Sequence, residues 1–278
     1  MPAITYGEAV RLSPRLARVT APNAGRMTGP GTNTYIAGHD ELAVIDPGPA
    51  IDEHIAALER ICAGRLRWIL VTHTHRDHSP AAHALALRTG AELIGNVIPN
   101  DGYQDETFVS ARALAQDDCL VTPEFTLRAL LTPGHVANHV CYLLEDDNIL
   151  MTGDHMMGGS TVVIVPPAGN MADYIASLER MLDYPIDYVA PGHGDLIGTP
   201  QEEIRRLIAH RLARESKVVA ALTRHGTATL VELVPPVYDD VDPALHEWAQ
   251  LSLHAHLLKL AADGRAEVDP TGLWRMRA

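Results

Sequence analysis

Cysteine and lysine are both scarce in this chain of 278 residues, and each scarcity excludes something. The three cysteines, Cys62, Cys119 and Cys141, are odd in number and irregular in spacing. They give no disulfide framework and fit a reducing compartment. Only Lys217 and Lys259 supply ammonium groups, and although arginine is abundant the formal net charge is −13. That field repels polyanions and slows association with nucleic acid. No apolar run reaches the roughly 18 residues a bilayer demands, so no spanning helix and no membrane partner are expected. The start, Met1-Pro2-Ala3-Ile4-Thr5-Tyr6, has neither a basic n-region nor an apolar h-region. These features lead to the expectation of a cytoplasmic protein without a signal peptide. Richness in arginine and alanine suggests a GC-rich bacterial genome.

What the chain has is histidine in one place. Thr72-His73-Thr74-His75-Arg76-Asp77-His78 follows the apolar run Trp68-Ile69-Leu70-Val71. A strand that ends in such a loop aims several ligands at one point, and imidazole nitrogen and carboxylate oxygen are common ligands of zinc and its neighbours. Three later segments repeat the layout: Leu130 to His135, Ile149 to Asp154, and Tyr188 to His193. Each is an apolar run, a glycine-containing turn and a ligand. Without cysteine in the set, a catalytic centre is indicated rather than a closed structural zinc site.

The ordered set HxHxDH, GH, GD and PGHG, spanning roughly Gly31 to Gly198, resembles the metallo-β-lactamase superfamily. Carried over residue by residue, the resemblance implies two divalent cations. His73, His75 and His135 would hold the first. Asp77, His78 and His193 would hold the second, and Asp154 would bridge them. Zinc is expected, although histidine and aspartate accept iron and manganese as well. An aspartate at the bridging position resembles the glyoxalase II and ribonuclease-type branches; Cys119 and Cys141 do not match the context of the cysteine used by zinc β-lactamases. His75 stands where flavo-diiron relatives have glutamate. Asp77 is the candidate catalytic residue, orienting a bridging hydroxide and accepting its proton. Asp46 is a candidate partner that fixes a ligand imidazole. Asn33, His155, Ser160 and Tyr174 are candidate substrate contacts by family analogy. His83 and His139 read as structural, and His254 and His256 as surface or interface residues.

Strand-helix-strand units in both halves indicate an α/β protein, and the resemblance implies an αββα sandwich. Helices are expected over residues 52–62, 171–182, 201–223 and 244–262, and one starts at Ser79-Pro80 with serine as N-cap. Strands are expected at 66–71, 119–121, 125–131, 139–144, 148–152 and 186–190. A strand-like run at 227–234 ends at Pro235-Pro236, and residues 265–276 form a small hairpin. The division is therefore a catalytic domain over 1–200 and a winged-helix-like domain over 201–278. Helix 244–262 carries Lys259 as its one fixed positive charge, which favours a packing, homodimerisation or pocket-lining role over DNA binding. The Gly31-Thr32-Asn33-Thr34-Tyr35 stretch, Pro166-Pro167 and this appendage resemble the β-lactamase-like protein 2 group, which includes single-strand RNA endonucleases and acyl-carrier thioesterases.

No separate general acid stands beside the motifs. A thiolate, with a pKa of about 8.5, leaves without protonation, whereas a ribose alkoxide needs help. The expected substrate is a small acyl thioester or ester, in a narrow, apolar, acid-poor pocket. A single-strand RNA endonuclease, which needs a basic groove, and a lactonase are the alternatives. A metal-bound regulatory module is disfavoured by the intact ligand set.

Overall fold

The computed structural model describes residues 4–277; residues 1–3, part of the stretch read for a leader, and residue 278 lie outside it. The chain divides into two compact units, and the division interleaves along the sequence. The first comprises the residues up to Thr132, Asn138–Ser160 and Pro185–Pro200. The second comprises Pro133–Ala137, Thr161–Tyr184 and everything from Gln201 on. Pro200 closes the last stretch of the first unit, while two inserts from the first 200 residues group with the C-terminal part.

The first unit is built on two sheets. One has six strands in sequential order: β1 (Val10–Arg11), β2 (Leu16–Thr20), β3 (Asn33–Ala37), β4 (Leu42–Ile45), β5 (Leu66–Leu70) and β6 (Glu92–Ile94). Its first half is a meander, antiparallel through β4. From β4 to β6 the strands are parallel, connected by helices α1 (Asp52–Cys62) and α2 (Ala81–Thr89). The second sheet contains β7 (Cys119–Val121), β8 (Thr126–Leu131), β9 (Val140–Leu144), β10 (Ile149–Gly153) and β11 (Tyr188–Pro191). Its order is β11-β10-β9-β8-β7, with β11 parallel to β10 and the rest antiparallel.

Period-2 alternation assigns the faces. In β4, Ala43 and Ile45 join an inter-sheet core with Tyr35, Leu70, Phe125, Tyr142, Met151 and Ala190. The intervening Leu42 and Val44 face the other way, into a cluster with Ile55 and Leu58 of α1 and Leu85 of α2. A strand buried on both faces reads as a continuous apolar run, as Leu42-Ala43-Val44-Ile45 does. Two tyrosine hydroxyls tie the sheets together: Tyr35 donates to the Pro191 carbonyl at 2.7 Å and Tyr142 to that of Val71 at 2.8 Å.

The second unit contains α3 (Met171–Met181), α4 (Pro200–His225), β12 (Thr227–Ala228), α5 (Leu230–Val237), α6 (His246–Ala262), β13 (Ala266–Val268) and β14 (Trp274–Met276). The last two strands form the expected hairpin, and β14 also pairs with β12. Asn170 caps α3, its side chain accepting from the amides of Ala172 and Asp173.

Three local expectations are corrected. Ser79 does not cap α2; Pro80 occupies that position, and the Ser79 hydroxyl donates to Asp105 at 2.7 Å. Most of the strand-like run 227–234 is helical. Thr229 and Glu232 form a capping box, which satisfies amides at the helix start, and Pro235 and Pro236 lie inside α5 rather than ending a strand. His256 is not a surface residue: it is fully buried in α6. Among the described residues no helix is long and apolar enough to cross a membrane.

Candidate metal centre

In the first unit, loops bearing candidate ligands follow the C-terminal ends of β5, β10 and β11, and Asp46 follows β4. Rigid strands thereby hold side chains from segments distant in sequence at one place. Asp77, His78, Asp154 and His193 each offer a ligand atom, all within 4.8 Å of one another. His193 Nε2 is 3.2 Å from Asp77 Oδ2 and 3.3 Å from Asp154 Oδ1; His78 Nε2 is 3.3 Å from Asp154 Oδ1. Glycine makes this convergence sterically feasible. A Cβ on Gly192 would lie 2.7 Å from the His78 ring and 2.9 Å from Asp154 Oδ1. Gly153, at φ 46°, would drive a Cβ to 2.3 Å from the Thr72 hydroxyl.

The backs of the His73, His78 and His193 rings are anchored. Asp46 follows β4 and is 2% exposed. One of its oxygens accepts from the Thr72 amide at 2.7 Å, the other from the Thr72 hydroxyl at 2.8 Å. His78 Nδ1 lies 2.9 Å from that second oxygen. Because the Thr72 hydroxyl donates to Asp46, it accepts from His73 Nδ1, 2.9 Å away. His73 then presents Nε2, which faces His75 Nδ1 at 3.0 Å. His193 Nδ1 faces the Gly31 carbonyl at 3.3 Å. Partners of this kind fix ring orientation and tautomer. Residue 135 belongs to the second unit, where its Nδ1 donates to the Val163 carbonyl at 2.8 Å.

The charges are balanced by proximity. Burial opposes the charged form of His78, yet Asp77, Asp154 and Asp46 outweigh it and hold its pKa well above the usual imidazole range. Burial likewise opposes charge on His193, and Asp154 and Asp77 raise its pKa. For Asp77, burial pushes upward but His78 and His193 prevail, lowering it.

These residues fit a divalent cation. Nε2 of both His78 and His193 is buried without a hydrogen-bond partner, while the opposite nitrogen of each ring is anchored. Two imidazole nitrogens and two carboxylates are a donor set suited to zinc, iron or manganese.

The candidate substrate contacts divide by burial. Asn33 is 1% exposed: its amide donates to the carbonyls of Pro191 and Gly194, and its oxygen accepts from Thr20. That side chain holds the loop carrying His193. His155 and Tyr174 are fully buried, and Ser160 is exposed. Sequence reasoning missed Tyr103, whose ring centroid lies 6.4 Å from that of His75 and which is 48% exposed. It also missed Asn138, which donates to the Thr74 hydroxyl at 2.8 Å and to the Asn96 carbonyl at 2.9 Å. Neither lies in a recognisable motif. Beside Thr74 is a cavity of about 560 Å³ whose lining includes Gln104, Asp105, Glu106 and Phe108. Its two acids distinguish it from the apolar, acid-poor pocket expected for an acyl group.

Residues 27–193 match the Metallo-beta-lactamase superfamily, and residues 229–274 match the Beta-lactamase associated winged helix domain. The chain belongs to the metallo-β-lactamase superfamily, with its mixed α/β fold followed by a helical winged-helix domain, and it is a hydrolase. It is 34% identical over 219 residues to Thioesterase pkgB of Emericella nidulans, covering 77% of this chain and 61% of that protein. This alignment thus spans less than two thirds of that relative's length. A Beta-lactamase-like protein 2 homolog of Caenorhabditis elegans is 29% identical over 276 residues, covering 96% of this chain and 91% of that protein. In fold it is similar to a metallo-beta-lactamase family protein from Thermus thermophilus, with a TM-score of 0.79 at 22% identity, covering 96% of this chain and all of the other.

Proposed function

We propose that the chain is a dinuclear metal-dependent hydrolase acting on a small acyl thioester or ester. The observation that carries the reading is the convergence of Asp77, His78, Asp154 and His193, with two buried imidazole nitrogens directed inward and no hydrogen-bond partner on either. In this reading His73, His75 and His135 would hold the first cation, Asp77, His78 and His193 the second, and Asp154 would be shared by the two. Two divalent cations, when bound, lower the pKa of water toward about 7 and polarise the acyl carbonyl.

The protein's own residues do the rest. Asp46 fixes Thr72 and His78, and through Thr72 the tautomer of His73. His78 and His193 hold Asp77 below the usual carboxylate range, so it is ionised at neutral pH. Water oxygen adds to the acyl carbon as Asp77 takes the proton. The C–S bond then breaks, and the electron pair leaves with sulfur as thiolate. A thiolate leaves unprotonated near neutral pH, which suits a site whose carboxylates serve as ligands and base. The similarity to a protein named a thioesterase supports the same substrate class. Of the four candidate substrate contacts, Ser160 is the one exposed.

Thiol release from a panel of acyl thioesters by zinc-loaded protein tests the reading, with Asp77→Ala as the blank. Turnover that vanishes in the blank is expected. Two cations per chain with no release above the blank would overturn the thioester assignment and bring single-stranded RNA and lactones forward.

A further inference from the structure

Within the second unit, a chain of hydrogen bonds runs from the C-terminal helices to a ligand. The Val163 carbonyl, a pure acceptor, receives the Nδ1 proton of His135 at 2.8 Å. That carbonyl shares one peptide group with the amide of Ile164, and the peptide group is planar, its C=O and N–H pointing in opposite directions. The Ile164 amide donates to the hydroxyl of Ser252 in α6, at 3.2 Å. Ser252 is 5% exposed, so this bond is sheltered from water. On the neighbouring peptide, the Val162 carbonyl accepts from Arg211 Nη2 of α4 at 2.6 Å, and Arg211 is 3% exposed. The turn bearing His135 is held from its other side by α3. Ser177 donates to the Pro133 carbonyl at 2.8 Å, and the Asn170 amide donates to that of Gly134 at 2.8 Å.

We propose that Ser252 and Arg211 are positioning residues for the metal centre: through the 162–164 peptides they orient His135 and set the basicity of its ligating nitrogen. The proposal rests on the two-cation reading above. A planar peptide held at its N–H end by Ser252 cannot rotate its C=O away from His135. A donor engaged at one end of a peptide also polarises the other end, making Val163 a stronger acceptor. A stronger acceptor on Nδ1–H raises the electron density at Nε2, the ligating atom in this reading. Arg211 removes the second freedom, a tilt of the preceding peptide. The winged-helix segment thereby has a catalytic purpose that involves no nucleic acid and no second chain. The side chain that transmits it, Ser252, is as ordinary in sequence as any helical serine.

The test is a zinc titration against a chromophoric chelator, with wild type, Ser252→Ala, Ser252→Thr, Arg211→Lys and His135→Ala. Wild type should take up two equivalents. Ser252→Ala should weaken one of them several-fold, less than the about 10–100-fold cost of losing the direct partner of a ligating imidazole, and leave the other unchanged. The weakened equivalent should be the one lost in His135→Ala. Ser252→Thr, which retains the hydroxyl, should restore wild-type affinity, and Arg211→Lys should weaken the same equivalent. Ser252→Ala binding both cations with wild-type affinity would overturn the proposal. So would equal weakening of both equivalents, or failure of threonine to rescue, since either marks general destabilisation. Wild type that takes up fewer than two equivalents would remove the two-cation reading itself, a failure visible before any variant is measured.

Discussion

Two buried histidine clusters, one in each unit, face opposite electrostatic surroundings. His78 and His193 sit among Asp77, Asp154 and, for His78, Asp46, and their pKa values rise despite burial. His256 is buried just as fully, but the charges around it are Arg211, Arg214 and Lys259, with His210 nearby. Burial and these cations together push it down to about 3. The same side chain is thus held ready for positive charge in one place and kept neutral in the other. Burial of a histidine says little by itself; the sign of the neighbouring charges decides whether the position suits a cation.

The comparison can be broken most severely at Asp77. Asp77→Ala removes the proposed base and proposed ligand, and thioester turnover should fall by at least about 100-fold, measured as kcat/KM with zinc in excess. Next is Asp46→Asn, which leaves the four converging side chains in place but removes the charge behind His78 and Thr72. Zinc affinity should fall by about 10–100-fold, read by chelator competition; unchanged affinity would show that the anchor is dispensable. At the other cluster the readout is the pH dependence of stability. His256 has a folded pKa near 3, below its unfolded value, so unfolding takes up a proton between the two. Its stabilising contribution is complete above the unfolded pKa and is lost as pH falls from about 6.5 toward 3. His256→Leu should flatten the slope of unfolding free energy there by at most about 1.4 kcal/mol per pH unit, measured by urea titration at several pH values. An unchanged slope would place the sensitivity elsewhere, as at His54, whose pKa burial lowers to about 4. The smallest effect is expected at the exposed capping box: Thr229→Ala should cost about 1 kcal/mol, with metal binding intact.

The convergence of the histidine- and aspartate-bearing loops was legible because their chemistry is concentrated. Five of the residues that matter, from Thr72 to His78, lie in one stretch, and apolar runs announce the strands that carry it. Helices α1 and α3 and the strands of the second sheet were readable for a similar reason, since period 3.6 and period 2 are local properties. Helix α5 was misread because its apolar run suits a strand and its two prolines suit a stop; the deciding signal, Thr229 with Glu232, is only two residues. Ser79 was misassigned because Asp105, its actual acceptor, is 26 positions away. The relay from Ser252 through Ile164 and Val163 to His135 was invisible because backbone groups carry it, and backbone groups have no sequence signature. Asn33 was noticed as part of a recurring stretch, but nothing local showed that its amide would be spent on Pro191 and Gly194.

The four-residue cluster draws from both sheets of the first unit: His78 and Asp77 follow β5, whereas Asp154 and His193 follow β10 and β11. The sheets meet through one core that includes Tyr35, Phe125 and Tyr142. A cation gripped from both sides would act as a vernier on that seam, because a slip of one sheet along the other separates its ligands by the same amount. Trimming a residue in the seam, far from any substrate, would then register first as a change in metal affinity and only afterwards as a loss of folding.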